Sequence, residues 1–385
     1  MRDLVEIGMG RTARRTYELS DINIVPSRRT RSSQDVSTGW QLDAYRFDIP
    51  VVAHPTDALV SPEFAIELGR LGGLGVLNGE GLIGRHVDVE AKIAQLLEVA
   101  AKESGEPGAS SGPSAAIRLL QELHAAPLIP ELVGAAVTRI RDAGVTTAVR
   151  VSPQNAQALT PALVAAGVDL LIIQGTIISA ERVAQDGEPL NLKTFISELD
   201  IPVVAGGVLD HRTALHLMRT GAAGVIVGYG STWGVTTSDE VLGISVPMAT
   251  AIADAAAARR EYLDETGGRY VHVLADGDIH TSGELAKAIA CGADAVLLGT
   301  PLAVAQESLG GGWFWPNAAA HPSLPRGALL QVAEGERPSL EQVLTGPSDD
   351  PFGGLNLVGG LRRAMAKAGY CDLKEFQKVG LAVGS

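Results

Sequence analysis

Residues 270–302 read YVHVLADGDIHTSGELAKAIACGADAVLLGTPL, and this stretch decides the predicted fold. The apolar run at residues 271–275 predicts a strand buried on both faces, as in a parallel sheet covered by helices. The run ends at Asp276 and Gly277, which places a carboxylate at the carboxyl end of a strand. Parallel barrels carry their chemistry at that end. Asp276 is therefore a candidate ligand-binding residue.

The second half of the stretch repeats the pattern of strand, loop and helix. Thr281 is placed to cap a helix over residues 282–290, and residues 293–298 predict a strand that ends at Gly299 and Thr300. Two successive strand ends with the sequences Asp-Gly and Gly-Thr offer backbone N–H groups and a helix start to an anion. The same glycines also serve simply to turn the chain, so phosphate binding and plain turns both stay open at this point.

The rest of the chain repeats this alternation of buried strand and helix more loosely. Eight strand patterns in one chain of 385 residues are typical of a closed (β/α)8 barrel, the TIM barrel, folded as a single domain. A doubly wound open sheet is the alternative, but no GxGxxG motif follows the first strand pattern. The predicted strands cover residues 49–53, 72–77, 146–151, 168–173, 202–205, 224–227, 271–275 and 293–298.

Composition and charge limit the classes of partner. Hydrophobic residues make up 46% of the chain and aromatic residues only 4%, which suits an α/β protein built from Val, Ala and Leu. The net charge of −13 opposes binding to nucleic acid or to an anionic membrane, whereas a local nest of N–H groups can still hold a small phosphorylated ligand. No apolar run reaches membrane length and the N-terminus is too polar for a secretion signal, so a cytoplasmic protein is expected.

Three segments fall outside the regular alternation. Residues 103–114, ESGEPGASSGPS, predict a flexible linker because they lack apolar periodicity. A long loop follows the sixth strand at residues 228–238, and residues 310–354 predict a flap-like insertion after the eighth strand. Loops of this length on a compact barrel usually serve as lids or subunit contacts.

Several motifs, taken together, resemble the IMP dehydrogenase and GMP reductase family. They are TYELSDINIVPSR near the start, IPVVAHPTDAL and LGRLGGLGVLN around the first two strands, HLMRTGAAGVIVGYGS and VPMATAIADAA around the long loop, and ADGDIHTSGELAKAIACGADAVLLGTPLA. The resemblance implies a (β/α)8 barrel, a homotetramer or higher oligomer, a purine nucleotide substrate, NAD or NADP as cofactor, and a monovalent cation. The family often carries a CBS pair before the third strand. Residues 103–114 are too short for one, so the chain resembles the short CBS-less branch seen in actinobacteria.

Residue by residue, the resemblance implies a partly kept nucleotide site. Its implied substrate-binding residues are Asp276 and Gly277 at the ribose, Gly299 and Thr300 at the phosphate, and Ser231 at the phosphate if the loop register shifts. Gln174 falls where the family has an aspartate on the cofactor side, so it is the implied cofactor-binding residue. Asp278 replaces a glycine that faces the phosphate. A carboxylate within about 4 Å of a phosphate repels it unless the carboxylate is paired or protonated.

The family's covalent chemistry uses a cysteine in the loop after the sixth strand, which attacks C2 of the purine. The ungapped register puts Val235 at that position, and a shifted register puts Trp233 or Thr236 there. The two cysteines of the chain, Cys291 and Cys371, lie elsewhere, and valine cannot act as a nucleophile. The catalytic residue is therefore unknown from the sequence, and IMP oxidation is expected to be weak or absent.

Three hypotheses about function follow. The first is an NAD(P)-dependent oxidoreductase acting on a purine nucleotide, and the second is a catalytically degenerate paralogue that binds a nucleotide or an active relative and regulates it. The third is another phosphate-dependent barrel chemistry, for instance one based on flavin. Four scattered histidines are each predicted to be structural or solvated rather than catalytic. They are His54, His211, His272 and His280, the last of which lies beside Asp276 and Asp278 in the sequence.

Overall fold

A computed structural model of the chain describes residues 4–104, 114–175, 178, 189–230, 242–320 and 329–384. Eight parallel strands form one sheet, and each lies where the sequence predicts a strand. Their apolar side chains are buried, as expected for a sheet covered on both faces. The strands, labelled β1 to β8 in chain order, are Val51–Ala53, Val76–Asn78, Ala148–Val151, Leu170–Gln174, Val203–Val208, Gly224–Gly228, His272–Asp276 and Ala295–Leu298.

The sheet closes on itself into a barrel. From β2 to β8 each strand pairs in parallel with the next, and β8 pairs with β1 through Val296 opposite Val51. The junction between β1 and β2 is a parallel bridge of Val52 opposite Leu74, beside which the Ala53 N–H donates to the Leu74 carbonyl over 2.8 Å. The predicted (β/α)8 barrel is therefore confirmed. Its parallel strands all present their carboxyl ends at one mouth.

Helices alternate with the strands and cover the barrel. The predicted cap at Thr281 is confirmed: its hydroxyl accepts from the Glu284 N–H over 3.2 Å, and the Glu284 carboxylate accepts from the Thr281 N–H over 3.0 Å. The helices, labelled α1 to α13, are Pro62–Arg70, Val89–Ser104, Ala115–His124, Pro130–Asp142, Ala156–Ala166, Leu192–Ser197, His211–Arg219, Met248–Thr266, Ser282–Cys291, Thr300–Ala303, Leu340–Thr345, Leu357–Ala368 and Leu373–Phe376.

The end of β5 differs from the prediction. The predicted strand ends at residue 205, before Gly206 and Gly207, whereas β5 continues through both glycines to Val208. Gly206 pairs with Gln174 on one side and with Ile226 on the other, and a Cβ at Gly206 would lie 2.5 Å from the Ile226 Cβ. Glycine at position 206 therefore permits close packing between strands. From the sequence alone, the same glycine is interpreted as a turn residue.

The amino-terminal end of the barrel contains a buried ion cluster. Asp294, just before β8, is 2% exposed and accepts from Arg259 over 2.8 Å and from Lys374 over 2.6 Å. Burial by itself raises the pKa of Asp294, but the two cations outweigh it and hold that pKa below its ordinary value. The Asp43 N–H donates to His272 Nε2 at the start of β7 over 3.2 Å. This end is fixed by internal contacts and supports the fold.

Short antiparallel ribbons complete the described structure. They pair Leu4–Gly8 with Arg11–Arg14, Ile22–Ile24 with Leu381–Val383, Trp40–Leu42 with Tyr45–Phe47, and Trp313–Phe314 with Leu330–Gln331. In the predicted insertion at residues 310–354, the side chains of Trp313, Phe314 and Trp315 are at most 9% exposed. These three aromatic residues pack into the chain's own core, and the flap-like role of the insertion stays a prediction.

All three irregular segments are described only in part, and residues 321–328 of the insertion lie outside the described residues. Most of the predicted linker, residues 105–113, and most of the loop after β6, residues 231–241, lie outside the described residues. Between β2 and β3 the described chain forms α2, α3 and α4. Within the described ranges, no helix is both long enough and apolar enough to cross a bilayer.

Candidate functional site

Asp276 is the last residue of β7 and lies at the mouth of the barrel. His54 Nδ1 lies 3.1 Å from its Oδ1, and Gln174 Nε2 donates to its Oδ2 over 2.6 Å. His54 follows β1 and Gln174 ends β4, so closure of the barrel brings the three side chains together. Asp276 is 1% exposed, and a carboxylate keeps further lone pairs after accepting two hydrogen bonds. It can therefore still accept a hydrogen bond from a ligand.

Two glycines shape the wall beside Asp276. At Gly228, the end of β6, φ is +91° and a Cβ would lie 2.0 Å from the Asp276 carbonyl oxygen. At Gly277 a Cβ would meet the Met248 side chain at 2.9 Å. A side chain at Gly228 would have to displace backbone, and one at Gly277 would have to displace Met248. These glycines therefore hold the strand ends close together around the carboxylate, a role beyond that of turning the chain.

A cleft of about 420 Å³ lies at these strand ends. Asp276 and Gly277 form part of its wall, together with residues from the N-terminal region and the start of α8. Besides Asp276, the polar side chains of the described lining are Glu18, Ser20, Tyr229, Ser245, Asp278, His280 and Glu284. A cleft of this size at the carboxyl end of a parallel barrel is the expected place for a small-molecule ligand.

His280 is the basic side chain among the described lining residues, which include no Lys or Arg. Its Nδ1 lies 3.2 Å from the Thr300 hydroxyl, and its Nε2 lies 3.7 Å from a carboxylate oxygen of Asp278. Interaction with Asp278 raises the pKa of His280 above its ordinary value, although burial works against this. Asp278 is therefore paired, which is the condition under which a carboxylate can lie close to a phosphate.

The β2–β4 side of the mouth contains a polar network. Arg150, on β3, donates to Glu80 over 2.7 Å and to the Gln174 carbonyl over 2.7 Å. Glu80 also accepts from the Ser152 N–H over 2.8 Å and from the Asn155 side chain. The side chains of Arg150 and Glu80 are only 14% and 11% exposed. Their charges are matched within the protein, so this network holds three strand ends together.

The structure brings part of the predicted site together. Asp276 and Gly277 line the cleft, and Thr300 reaches it through its contact with His280. Gly299 lies behind that wall, where a Cβ would be 3.0 Å from an aromatic ring of the insertion and 3.7 Å from the Cβ of the histidine after β1. Gly299 is thus a packing position among the described residues rather than part of the lining.

The remaining predicted site residues have different outcomes. Gln174, the predicted cofactor-binding residue, is 5% exposed and its amide is turned inward to Asp276. Ser231, the further phosphate ligand, and Val235, the residue at the nucleophile position, lie outside the described residues.

Sequence reasoning missed His54 and the pair of Arg150 and Glu80. His54 is predicted from the sequence to be structural or solvated, but its contact with Asp276 makes it part of the candidate site. The two residues are 222 positions apart, so no local pattern links them. The one available signal is that His54 directly follows a strand pattern, the same signal that singles out Asp276.

Neither cysteine belongs to the described lining of the cleft. Cys291 ends α9, and burial raises the pKa of its thiol to about 12. Cys371 follows α12, and its carbonyl accepts from the Ser37 N–H over 2.8 Å. A thiol with a raised pKa is a poor nucleophile, and the loop at residues 231–241 contains no cysteine. In the described chain, no group of three or more His, Cys, Asp and Glu side chains is placed to hold a metal ion.

The fold and the cleft together define a parallel (β/α)8 barrel protein with a candidate ligand site at the carboxyl ends of β6 to β8. The model of the IMP dehydrogenase / GMP reductase domain matches residues 16–320 of the chain. The chain therefore belongs to the IMP dehydrogenase/GMP reductase family of oxidoreductases, and the resemblance stated from its motifs is confirmed.

Relatives from mycobacteria match this chain over their full length. An uncharacterized oxidoreductase of Mycolicibacterium smegmatis is 88% identical over 382 residues, 99% of this chain and 100% of that protein. One of Mycobacterium tuberculosis is 87% identical over 381 residues, again 99% of this chain and 100% of that protein. The crystal structure of an IMP dehydrogenase/GMP reductase-like protein from Corynebacterium glutamicum has a TM-score of 0.91 and 58% identity, covering 99% of this chain and 98% of that chain.

A relative named for its activity matches over a smaller part. The inosine-5'-monophosphate dehydrogenase of Aquifex aeolicus is 33% identical over 231 residues, which is 56% of this chain and 45% of that enzyme. The chain thus spans less than half the length of that dehydrogenase. The full-length matches place the chain with the short actinobacterial relatives.

Proposed function

We propose that the protein is an oxidoreductase of this family that binds a purine nucleoside monophosphate in the cleft above Asp276 and does not use a cysteine nucleophile. The setting of Asp276 carries the proposal. The carboxylate ends β7, is oriented by His54 and Gln174, and forms part of the cleft wall. An oriented carboxylate with lone pairs to spare suits the hydroxyl groups of a ribose.

The phosphate of the nucleotide is proposed to lie near His280 and Thr300. The hydroxyl of Thr300 is 3.2 Å from His280 Nδ1, and Ser20 and Ser245 add hydroxyl groups to the lining. Interaction with Asp278 raises the pKa of His280, and the imidazolium that forms as pH falls through that pKa offsets the charge of Asp278. Hydroxyl donors with a cationic imidazole suit a phosphate monoester.

The nicotinamide cofactor and the monovalent cation enter the proposal through the family alone. The side-chain amide of Gln174 donates a hydrogen bond to Asp276, and the backbone carbonyl of Gln174 accepts one from Arg150. An amide at this position supplies no carboxylate of the kind that commonly binds the ribose of NAD. Gln174 therefore does not fit the role of a ligand for NAD or NADP, and we assign it the orientation of Asp276.

Because the loop after β6 contains no cysteine, we expect that the protein does not oxidise IMP efficiently. The test is NADH formation from IMP and NAD by the purified chain, followed by absorbance, with an active IMP dehydrogenase assayed in parallel as the positive control. Turnover below about 0.01 per second is expected, against a median near 10 per second for enzymes. Turnover near 1 per second would contradict the proposal.

Nucleotide binding is tested separately from turnover. Calorimetric titration of the chain with IMP, GMP and xanthosine monophosphate is expected to show a Kd below about 1 mM for at least one of them. Nucleotide binding to the native state also raises the unfolding temperature, which gives an independent measurement. If none of the three binds, the proposed site is wrong.

The second candidate function is that of a nucleotide-binding regulator without turnover, and the missing thiol favours it. It predicts binding of a nucleotide, no reaction with NAD or NADP, and altered activity of an active relative when the two are mixed. A yellow protein with flavin absorbance would instead favour the third hypothesis.

We further propose a cytoplasmic homotetramer. The ribbon at the N-terminus supports self-association, because Leu4, Ile7 and Met9 expose 61%, 65% and 102% of their reference area. Light scattering of the purified chain measures its oligomeric state, and a monomer at micromolar concentration would contradict the proposal.

A further inference from the structure

His54 has a polar atom that the proposed function does not yet use. Its side chain is 12% exposed, and its Nδ1 lies 3.1 Å from Asp276 Oδ1. Its other ring nitrogen, Nε2, makes no hydrogen bond to any residue in the described chain. An imidazole with one nitrogen held and the other unpartnered, next to a ligand-sized cleft, is an arrangement suited to proton transfer.

The contact with Asp276 fixes the tautomer of His54. The carboxylate can only accept a hydrogen bond, so in the neutral imidazole this contact places the proton on Nδ1 and leaves the lone pair on Nε2. Gln174 donates to the other carboxylate oxygen over 2.6 Å, which holds the carboxylate in one orientation. The hydrogen-bonded series of Gln174, Asp276 and His54 therefore orients the imidazole so that Nε2 points away from Asp276.

The acceptor edge of the ring lies next to the cleft. Gly230 is a lining residue, and a Cβ at this position would lie 3.1 Å from His54 Cε1 and 3.4 Å from Nε2. His54 is not itself a lining residue of the cleft; it lies directly behind Gly230, whose lack of a side chain leaves room beside that edge of the imidazole. Asp276 is the titratable side chain in contact with His54 in the described chain, and Glu18, Asp278, His280 and Glu284 lie elsewhere on the cleft lining.

We propose that His54 Nε2 is the proton acceptor for the purine nucleotide in this cleft. In the step, an O–H or N–H bond of the nucleotide breaks and an Nε2–H bond forms, while Nδ1 keeps its proton. The imidazolium that results is stabilised by the Asp276 carboxylate. The inference rests on the proposed nucleotide site. It gives that site a base, but not a substitute for the missing cysteine nucleophile, and the proton transfer requires no oxidant.

Two substitutions at His54 separate the roles of its nitrogens. His54→Asn places an amide near the position of Nδ1, so it can keep the contact with Asp276 while losing Nε2. His54→Gln places a polar atom near the position of Nε2. His211→Gln is the matched control, because His211 pairs with Glu261 on α8, outside the lining of the cleft. All three are made in the full chain, and their melting temperatures report whether they fold.

Calorimetric titration with IMP and GMP measures the binding role. His54→Asn is expected to weaken binding about tenfold, the loss of one good hydrogen bond, whereas His54→Gln loses less and His211→Gln nothing. Binding of both nucleotides to folded His54→Asn with wild-type affinity would overturn the inference.

Nuclear magnetic resonance of the ¹⁵N-histidine-labelled chain measures the proton directly. The signals that disappear in His54→Gln are expected to show a protonated Nδ1 and a bare Nε2, and saturating IMP or GMP is expected to shift Nε2 toward its protonated value. A bare Nδ1 in the free protein, or bound nucleotide that leaves the His54 signals unchanged, would overturn the inference. Failure of IMP, GMP and xanthosine monophosphate to bind wild type would instead remove the proposed function.

Discussion

The two sides of the barrel mouth use charge in opposite ways. On the β2–β4 side, Arg150 and Glu80 are mostly buried and each is satisfied by the other and by neighbouring strand ends. On the β6–β8 side, Asp276 and His280 are held by protein partners but still face a cleft. The network of Arg150 and Glu80 on the β2–β4 side is therefore structural, and we call it the structural clasp. The β6–β8 side keeps hydrogen-bonding capacity for a ligand.

Unused hydrogen-bonding capacity, and not the mere presence of polar side chains, distinguishes the ligand side of the barrel mouth. Polar side chains gather at the carboxyl ends of strands on both sides, so their presence alone does not identify the site. Buried polar networks are rigid when every member is satisfied. The informative feature is an oriented group with an unused donor or acceptor close to a cleft, which here is the histidine after β1 and not the arginine of β3.

The largest expected effect comes from breaking the clasp. Arg150→Ala leaves the Glu80 carboxylate buried without its cation, and removal of one partner of a buried pair costs about 3–5 kcal/mol. Unfolding by urea, followed by circular dichroism, measures the free energy of unfolding for the variant and for wild type.

The matched control is Arg139→Ala, which breaks the pair of Arg139 with Glu63 on the barrel surface. Those side chains are 61% and 47% exposed, so a loss below about 1 kcal/mol is expected. If Arg150→Ala is no more damaging than Arg139→Ala, the β2–β4 side is not a structural clasp and the comparison fails.

A smaller effect is expected on the ligand side, where His280 supplies the cation. Protonated His280 offsets Asp278, so nucleotide affinity should be highest at low pH and should fall as pH rises through the raised pKa of His280. His280→Gln removes this cation, and GMP is expected to bind about tenfold more weakly at pH 6.5 but equally well near pH 9. Calorimetric titration across this range measures the dependence, and an equal loss at every pH would contradict an electrostatic role.

Asp278→Asn sharpens the same measurement. Without the carboxylate, the pKa of His280 should return toward its ordinary value, so the fall in affinity should begin at lower pH than in wild type. The nucleotide phosphate ionises with a second pKa near 6, and this affects wild type and the variants equally. It therefore cancels when their pH profiles are compared. An unchanged pH profile would show that Asp278 does not control the charge of His280.

The sequence was sufficient for the barrel because each strand is decided by its own residues. A short apolar run that ends in glycine or a polar residue predicts a buried strand wherever it occurs, and all eight runs gave one. Asp276 was predictable for the same reason, since its place at a strand end is a local property. Gly206 shows the limit: its role depends on Ile226 in the neighbouring strand, and glycine alone does not reveal it.

The contacts that give the site its chemistry were not predictable from the sequence. His54 meets Asp276, and Arg150 meets Glu80 and the Gln174 carbonyl, only after the barrel has closed with one particular stagger between strands. A shift of one residue would turn these side chains to the opposite face of the sheet. Local patterns therefore identify where polar groups gather, while closure decides which of them become partners.

The smallest expected effect is the contribution of His280 and Asp278 to folding stability. A histidine whose folded pKa is raised stabilises the native state fully below its unfolded pKa, near 6.5, and loses that contribution as pH rises through the folded value. Their side chains are 42% and 36% exposed, so solvent limits the coupling to less than about 1 kcal/mol. A double-mutant cycle with His280→Gln and Asp278→Asn measures it by urea unfolding at pH 5.5 and pH 9. Coupling at pH 5.5 that disappears at pH 9 is expected, because only the protonated imidazole attracts the carboxylate. Coupling that is equal at both pH values would mean that the pair is held by neutral contacts, and the charge contrast between the two sides of the mouth would then rest on Asp276 alone.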